Sequence, residues 1–172
     1  RTYTIPTPDE PGGDTWKGDT WKLGGGSTWI TGSYDAELNT VYWGIGNPGP
    51  FNAAVRPGDN LYTCSVLALD PKTGKIKWHY QFSPNNPFDY DSVAEMVLAD
   101  MNVEGKPTKV LMDANRNGFF YVLDRTNGKF IRGFPFVDKI TWAKGLDKNG
   151  RPIYDDANRP GSPNDAGAQG KT

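Results

Sequence analysis

Residues 66–78 read Val66-Leu67-Ala68-Leu69-Asp70-Pro71-Lys72-Thr73-Gly74-Lys75-Ile76-Lys77-Trp78, and residues 120–131 read Phe120-Tyr121-Val122-Leu123-Asp124-Arg125-Thr126-Asn127-Gly128-Lys129-Phe130-Ile131. Both stretches contain an apolar strand, an aspartate, a turn closed by Gly-Lys and a second strand. An aspartate caps such a turn, and the glycine four residues later takes a positive φ angle. Because 54 residues separate Asp70 from Asp124, the chain repeats one hairpin unit at long spacing.

Further hairpin signals surround these two copies. A weaker third copy covers residues 146–151, and residues 34–43, 94–100 and 109–113 also read as strands. No long amphipathic helix is evident, so the fold class is predicted as all-β. A repeat of this length suits a β-propeller blade with an inserted loop.

The strands suffice for two to three blades, whereas a closed propeller has about 4–8. We therefore expect the chain to be a segment of a longer polypeptide. Residues 1–150 are predicted to form a partial propeller domain. Residues 151–172 are polar and rich in Gly, Pro, Asn and Asp, so they are predicted as a polar loop or a connection between blades.

Composition excludes several functions. The 172 residues include 19 basic and 20 acidic side chains, a net charge of -1, so nucleic acid and anionic membranes are not expected partners. The single cysteine, Cys64, cannot form an internal disulfide and is predicted to be an inert thiol in a buried strand over residues 61–67. The single histidine, His79, excludes histidine-rich zinc sites and is predicted to be structural.

Three further motifs carry residues suited to a cofactor site. A tryptophan follows a glycine run in residues 24–29, an amide lies in the Gly/Pro-rich loop 44–50, and two acids stand in residues 88–91. On an extended strand, Asp89 and Asp91 would face the same side and could address one ion. Taken singly, each residue is better explained as a core, turn or loop residue. Together, a flat ring, an amide oxygen and paired carboxylates could build a metal-assisted cofactor site.

The ordered set of motifs resembles the pyrroloquinoline quinone (PQQ)-dependent alcohol dehydrogenases, the quinoprotein methanol and ethanol dehydrogenase family. The resembling segments are residues 24–29, 42–48, 56–60, 88–91 and 115–118. The resemblance implies an eight-bladed propeller that binds PQQ and a calcium or lanthanide ion on its axis. It also implies oxidation of primary alcohols to aldehydes by hydride transfer to the quinone, a periplasmic location and a cytochrome c electron acceptor; a homodimer of the full-length protein stays an option.

The resemblance also implies roles for individual residues. Trp29 resembles the tryptophan on which the quinone stacks, and Ser27 occupies a cofactor-contacting position. Asn47 resembles the amide ligand of the metal. Asp89 resembles the catalytic base beside that metal, and Arg116 the residue that hydrogen-bonds the reactive carbonyl of the quinone.

Asp91 is expected to decide which metal is bound. An acid two residues after the catalytic one is similar to the lanthanide-dependent branch, so Asp91 is predicted as a metal ligand, with a lanthanide slightly favoured over calcium. The alternative is that Asp91 caps a loop. The competing function is a non-catalytic propeller scaffold that binds proteins. A carboxylate-pair glycosidase is a third option, but it is disfavoured because Asp89 and Asp91 are expected to stand closer than the usual separation of about 5 Å or more. The family's glutamate ligand lies upstream of this segment, so the chain is expected to hold only part of the site.

Overall fold

The structure of the protein, a computed structural model, describes residues 1–160. Short antiparallel strands dominate this part of the chain, as the apolar runs and Gly-closed turns predict. The strands are β1 (Ser33–Asp35), β2 (Thr40–Gly44), β3 (Ser65–Leu69), β4 (Ile76–Gln81), β5 (Val97–Val103), β6 (Lys106–Ala114), β7 (Phe119–Asp124), β8 (Phe130–Pro135), β9 (Ala143–Leu146) and β10 (Pro152–Tyr154). Four 3-10 helices accompany them in residues 1–160: Gly13–Thr15 and Gly18–Leu23 precede β1, Ala53–Val55 lies between β2 and β3, and Asp156–Asn158 follows β10.

Eight of these strands form two four-stranded sheets. The first blade has the order β1-β2-β3-β4 and the second blade β5-β6-β7-β8, and every neighbouring pair is antiparallel. Strands β9 and β10 form a separate hairpin. Two complete blades and a hairpin confirm the predicted all-β fold and its two to three blades.

The repeated turns adopt one conformation. The N–H of Gly74 donates to the carbonyl oxygen of Asp70, and the N–H of Gly128 donates to that of Asp124, both at 2.8 Å. The two glycines have φ angles of 73° and 76°. The third copy also forms a turn, with Gly150 at a φ of 80°. The repeat that suggested blades is therefore a set of equivalent turns between adjacent strands.

The two blades pack face to face around one apolar core. Buried side chains of both sheets meet there, joined by the indole of Trp142; they are Tyr42, Val66, Ala68, Phe82, Met96, Leu111, Phe119, Tyr121 and Leu123. The hydroxyl of Tyr42 donates to the carbonyl oxygen of Arg125 across the junction at 2.8 Å. Apolar burial thus fixes the relative position of the two blades.

The connections divide the blades into two ends. At one end, called the turn end below, the short turns 36–39, 70–75, 104–105 and 125–129 join strands within a blade. At the other, called the loop end, lie the segments 45–64, 82–96 and 115–118. The motifs at residues 44–50, 88–91 and 115–118 all fall at the loop end.

Two local predictions need correction. Residues 61–64 form a turn before β3, in which Cys64 has a φ angle of 48°, so the predicted strand over 61–67 begins only at Ser65. Cys64 is nevertheless fully buried, and burial raises the pKa of its thiol. Residues 152–154, predicted as loop, form β10; residues 161–172 lie outside the described part of the chain.

Other features agree with the predictions or add to them. The exposed ring of His79 packs against Tyr62 with centroids 4.8 Å apart, a structural contact. None of the helices in residues 1–160 has the length and apolar character required to cross a bilayer.

Candidate functional site

The glycine-rich segment before Trp29 is bound to the loop that carries Asn47. The N–H of Gly26 donates to the carbonyl oxygen of Asn47 at 2.8 Å, and the N–H of Gly46 donates to that of Ser27 at 2.9 Å. Gly25 and Pro48 form an isolated antiparallel bridge between the same segments. Two motifs that are about 20 residues apart in the sequence therefore run side by side at the loop end.

Gly46 lies next to both the Trp29 ring and the Asp91 carboxylate. A Cβ atom added to Gly46 would stand 2.8 Å from Cζ3 of Trp29 and 3.0 Å from Oδ1 of Asp91. Both separations are shorter than ordinary contacts, so a side chain at this position would displace one of the two groups. The absence of a side chain at Gly46 therefore leaves room for both the ring and the carboxylate.

Trp29 is exposed to an unusual degree for its type. Its relative exposure is 56 %, whereas the inter-blade Trp142 is 3 % exposed. Other large apolar side chains, among them Tyr3, Tyr34 and Val97, are equally exposed, so the exposure leaves the Trp29 ring available for a contact without identifying the partner. The hydroxyl of the neighbouring Ser27 is also exposed and forms no hydrogen bond with the described residues.

The Asp91 carboxylate is buried and held on both oxygens. Oδ1 accepts a hydrogen bond from the backbone N–H of Asn47 at 2.9 Å, and Oδ2 lies 3.2 Å from Nη1 of Arg116. The Asp91 side chain is only 8 % exposed, whereas that of Arg116 is 59 % exposed. Asp91 thus connects its own loop with the segments that carry Asn47 and Arg116. Each carboxylate oxygen keeps a lone pair that these contacts do not use, so both loop capping and metal binding are compatible with the geometry.

Asn47 presents an oxygen with no partner among residues 1–160. Its Nδ2 donates to the carbonyl oxygen of Pro48 at 3.1 Å, and its backbone is occupied on both sides. Its Oδ1 accepts no hydrogen bond within the described chain. An amide oxygen in this state, on a residue whose backbone N–H binds the Asp91 carboxylate, matches the ligand chemistry of a hard cation.

Asp89 lies close enough to Asp91 and Arg116 for the charges of both side chains to shift its pKa. Burial and the Asp91 carboxylate raise the pKa of Asp89, and Arg116 opposes that rise. Its φ angle is 61°, so the motif is not the extended strand assumed from the i, i+2 spacing. Asp89 and Asp91 are close together because the loop turns back at Asp89. The predicted proximity of the two acids is retained, but the predicted extended strand is wrong.

Arg116 projects from a tight turn between β6 and β7. The N–H of Gly118 donates to the carbonyl oxygen of Asn115 at 2.9 Å, and Oδ1 of Asn115 accepts from the N–H of Asn117 at 3.1 Å. Nδ2 of Asn115 donates to Oγ of Ser92 and to Oδ2 of Asp113. The turn that carries Arg116 is thereby fixed to the residue following Asp91.

Beneath this turn lies a buried carboxyl group. Asp113 is 1 % exposed, and its Oδ1 has no hydrogen-bond partner in the part of the chain that the structure describes. Burial raises the pKa of Asp113 to about 7, against the opposing hydrogen bond from Asn115. The group is therefore largely protonated under mildly acidic conditions.

The residues predicted as site residues do come together at the loop end. They are Ser27, Trp29, Asn47, Asp89, Asp91 and Arg116. Sequence reasoning did not single out Gly46, Arg56, Asn86 or Ser92 as site-supporting residues, although these hold the site in place. The signal for Gly46 was present, since a glycine directly before Asn47 indicates close approach of another group. Across residues 1–160, no three His, Cys, Asp or Glu side chains cluster in a form suited to a metal ion.

The fold and site define a β-propeller protein with a polar, ring-lined site at one end of its blades. Residues 2–138 match the family model described as PQQ, the glucose/ethanol/alcohol dehydrogenase beta-propeller domain. The chain belongs to this family. The match spans both blades and every site residue above.

Known proteins of the same family are close in sequence and structure. The chain is 60 % identical over 151 residues to a quinoprotein alcohol dehydrogenase, PedH, of Pseudomonas putida, covering 88 % of this chain and 25 % of that protein. A quinohemoprotein alcohol dehydrogenase from Comamonas testosteroni superposes with a TM-score of 0.81 at 51 % identity, covering 86 % and 23 % of the two chains. A europium-containing methanol dehydrogenase gives a TM-score of 0.81 at 47 % identity over 88 % and 26 %. The chain thus spans about a quarter of the length of these relatives.

Proposed function

We propose that the chain is part of a PQQ- and metal-dependent alcohol dehydrogenase that oxidises primary alcohols to aldehydes. The observation that carries this proposal is the convergence of an open tryptophan ring, an unpaired amide oxygen and two carboxylates at one end of the blades. Gly46 lies next to both the Trp29 ring and the Asp91 carboxylate. The dehydrogenase relatives support the same activity.

The residues present fit the implied groups. The open ring of Trp29 offers a flat apolar surface of the kind that a planar quinone covers. Oδ1 of Asn47 and the oxygens of Asp89 and Asp91 are the hard donors that calcium and lanthanide ions prefer. When bound, PQQ would accept the hydride and the cation would polarise a carbonyl oxygen as a Lewis acid.

The chain's own residues would handle the proton and the developing charge. Asp89 would accept the hydroxyl proton of the alcohol as the carbon–hydrogen bond loses its hydride, which leaves the aldehyde. Arg116, whose side chain is largely exposed beside Asp91, would donate hydrogen bonds toward developing negative charge. Ser27 would contact the cofactor at the rim of the ring.

The identity of the metal depends on Asp91 in this proposal. A second carboxylate adds negative charge that favours a trivalent ion over a divalent one. A relative that contains europium also supports a lanthanide, with calcium as the alternative. Asp91 would keep its contacts with Asn47 and Arg116 and offer a remaining lone pair to the ion.

The test uses the full-length protein, freed of metal and supplied with PQQ and either calcium or a light lanthanide. We expect dye-linked alcohol oxidation, and we expect Asp89→Asn to abolish it. Asp91→Ala should remove the lanthanide-supported activity, whereas a calcium enzyme would change little. Asp138→Asn is the matched control, because Asp138 is an exposed acid at the same end without a hydrogen bond or ion pair among the described residues.

The competing function is a propeller scaffold that binds proteins without catalysis. Such a scaffold has no need for an open ring against a buried carboxylate. It would be supported if the full-length protein oxidised no alcohol with either metal. A cytochrome c electron acceptor, a periplasmic location and a homodimer are proposed on the family resemblance alone.

A further inference from the structure

Arg56 is a buried cation at the centre of the loop end. Its side chain is completely inaccessible, and its guanidinium donates only to neutral oxygens: Pro50 O at 2.6 Å, Phe51 O at 3.1 Å, Asn60 Oδ1 at 2.8 Å and Asn86 O at 2.5 Å. No carboxylate of residues 1–160 forms an ion pair with it. Burial of a cation without a counter-ion is costly unless each donor is satisfied, so this cluster has a demanding geometry.

These contacts tie together the two long loops that carry the site. Pro50, Phe51 and Asn60 belong to the segment that carries Asn47, whereas Asn86 belongs to the segment that carries Asp89. The guanidinium therefore fixes the position of the Asn86 backbone relative to the loop of the predicted amide ligand. Asn86 itself is 1 % exposed.

The Asn86 side chain binds the backbone on both sides of Asp89. Its Oδ1 accepts hydrogen bonds from the N–H of Phe88 at 3.0 Å and from the N–H of Tyr90 at 3.1 Å, the residues on either side of Asp89. Asp89 has a φ angle of 61°, a conformation that L-residues other than glycine adopt rarely. Two hydrogen bonds on its neighbours hold the backbone there, and with it the direction of the carboxylate.

We propose that Asn86, anchored by Arg56, is a positioning residue for Asp89. It does not touch the reacting atoms; it keeps the Asp89 backbone in the left-handed conformation that turns the carboxylate toward Asp91 and Arg116. Without the Oδ1 acceptor, the N–H groups of Phe88 and Tyr90 would seek other partners. Asp89 would then relax to a negative φ and its carboxylate would move. The catalytic consequence rests on the function proposed above, whereas the conformational one does not.

The test compares Asn86→Ala with Asp70→Ala, which removes a similar acceptor of backbone N–H groups at the turn end. Oδ1 of Asp70 likewise accepts from two backbone N–H groups, those of Lys72 and Thr73, far from the site. In the full-length protein with PQQ and metal, Asn86→Ala should lower kcat about 10- to 100-fold with little change in KM, as expected for a supporting residue. Asp70→Ala should lower the melting temperature without lowering kcat.

A second variant and a structural readout keep the proposal falsifiable. Asn86→Asp retains the acceptor oxygen, and Arg56 places a positive charge nearby, so this variant should recover most of the lost kcat. In a crystal structure of Asn86→Ala, Asp89 should have left its positive φ. The proposal is overturned if Asp89 keeps its conformation, or if kcat is unchanged. If the unmodified protein oxidised no alcohol, the proposed function would be refuted. The crystal structure of Asn86→Ala would still show whether Asn86 positions Asp89.

Discussion

The turn end and the loop end of the same blades are stabilised in different ways. At the turn end, the Asp-to-Gly turns that begin at Asp70 and Asp124 are each closed by hydrogen bonds within about five residues. At the loop end, contacts join residues far apart in sequence, such as Asn47 with Asp91 and Arg56 with Asn86.

The ends also differ in what they bury. Most of the buried polar side chains in residues 1–160 lie at the loop end, among them Arg56, Asn60, Asn86, Asp91, Ser92, Asp113, Asn115 and Asn117. The turn end has one buried ion pair, formed by Arg125 and Asp35. Buried polar groups require hydrogen-bond partners, so the structure of the loop end depends on a specific arrangement of a few side chains. We infer that the turn end serves stability and the loop end serves the site.

The largest expected effect on stability is at the turn end. Nε of Arg125 lies 2.6 Å from Oδ2 of Asp35 between the blades, and both side chains are at most 7 % exposed. Arg125→Met should lower the free energy of unfolding by about 3–5 kcal/mol, because it leaves the Asp35 charge buried and unpaired. Chemical denaturation of the full-length protein measures this loss. Adding Asp35→Asn to Arg125→Met should restore much of the lost free energy of unfolding. The kcat of the folded fraction should stay unchanged. A selective loss of kcat would contradict the inference that the turn end serves stability and the loop end serves the site.

The next effect is a pH dependence that arises beneath the loop end. The pKa of Asp113 is about 7 in the folded protein, above that of an unfolded aspartate near 3.8. The folded state therefore holds a proton that the unfolded state has released, so stability should fall as pH rises from about 4 to about 7. The loss would be at most about 4 kcal/mol.

Asp113→Asn removes the titrating group while keeping its shape. Unfolding measured across this pH range should show a flatter profile for the variant than for the unmodified protein, with greater stability of the variant above pH 7. An equal slope in both proteins would show that Asp113 does not titrate in the folded state as described.

A smaller expected effect, on function rather than stability, concerns Gly46. In Gly46→Ala, the new Cβ would displace the Trp29 ring or the Asp91 carboxylate, and misplacement by about 1 Å can cost about 100-fold in rate. Gly49→Ala is the control in the same loop, since its Cβ would meet nothing closer than 3.5 Å. Steady-state kinetics should show a large loss of kcat/KM only for Gly46→Ala. Equal losses in the two variants would show that the loop tolerates no added side chain at either position, and that the space Gly46 leaves for Trp29 and Asp91 is not the cause.

The contrast between the ends explains how much the sequence could predict. The blade turns were predictable because Asp70 and Asp124 act on residues that follow directly. The site residues were found through the order of their motifs, which resembles a known family. The roles of Gly46, Arg56 and Asn86 could not be predicted, because each depends on a contact with a distant segment. The positive φ angles of Cys64 and Asp89 likewise arise from loop packing, and they made the predicted strands at both places wrong.

The most direct measurement of the central claim is a titration of the metal-free, full-length protein with terbium(III), a luminescent lanthanide that tryptophan sensitises at short range. The site predicts saturable emission that Asp91→Ala weakens strongly and that Trp29→Phe diminishes without a comparable loss of affinity. Asp138→Asn should leave the titration unchanged. Identical titration curves for the unmodified protein and Asp91→Ala would contradict the assignment of the loop end as the metal and cofactor site.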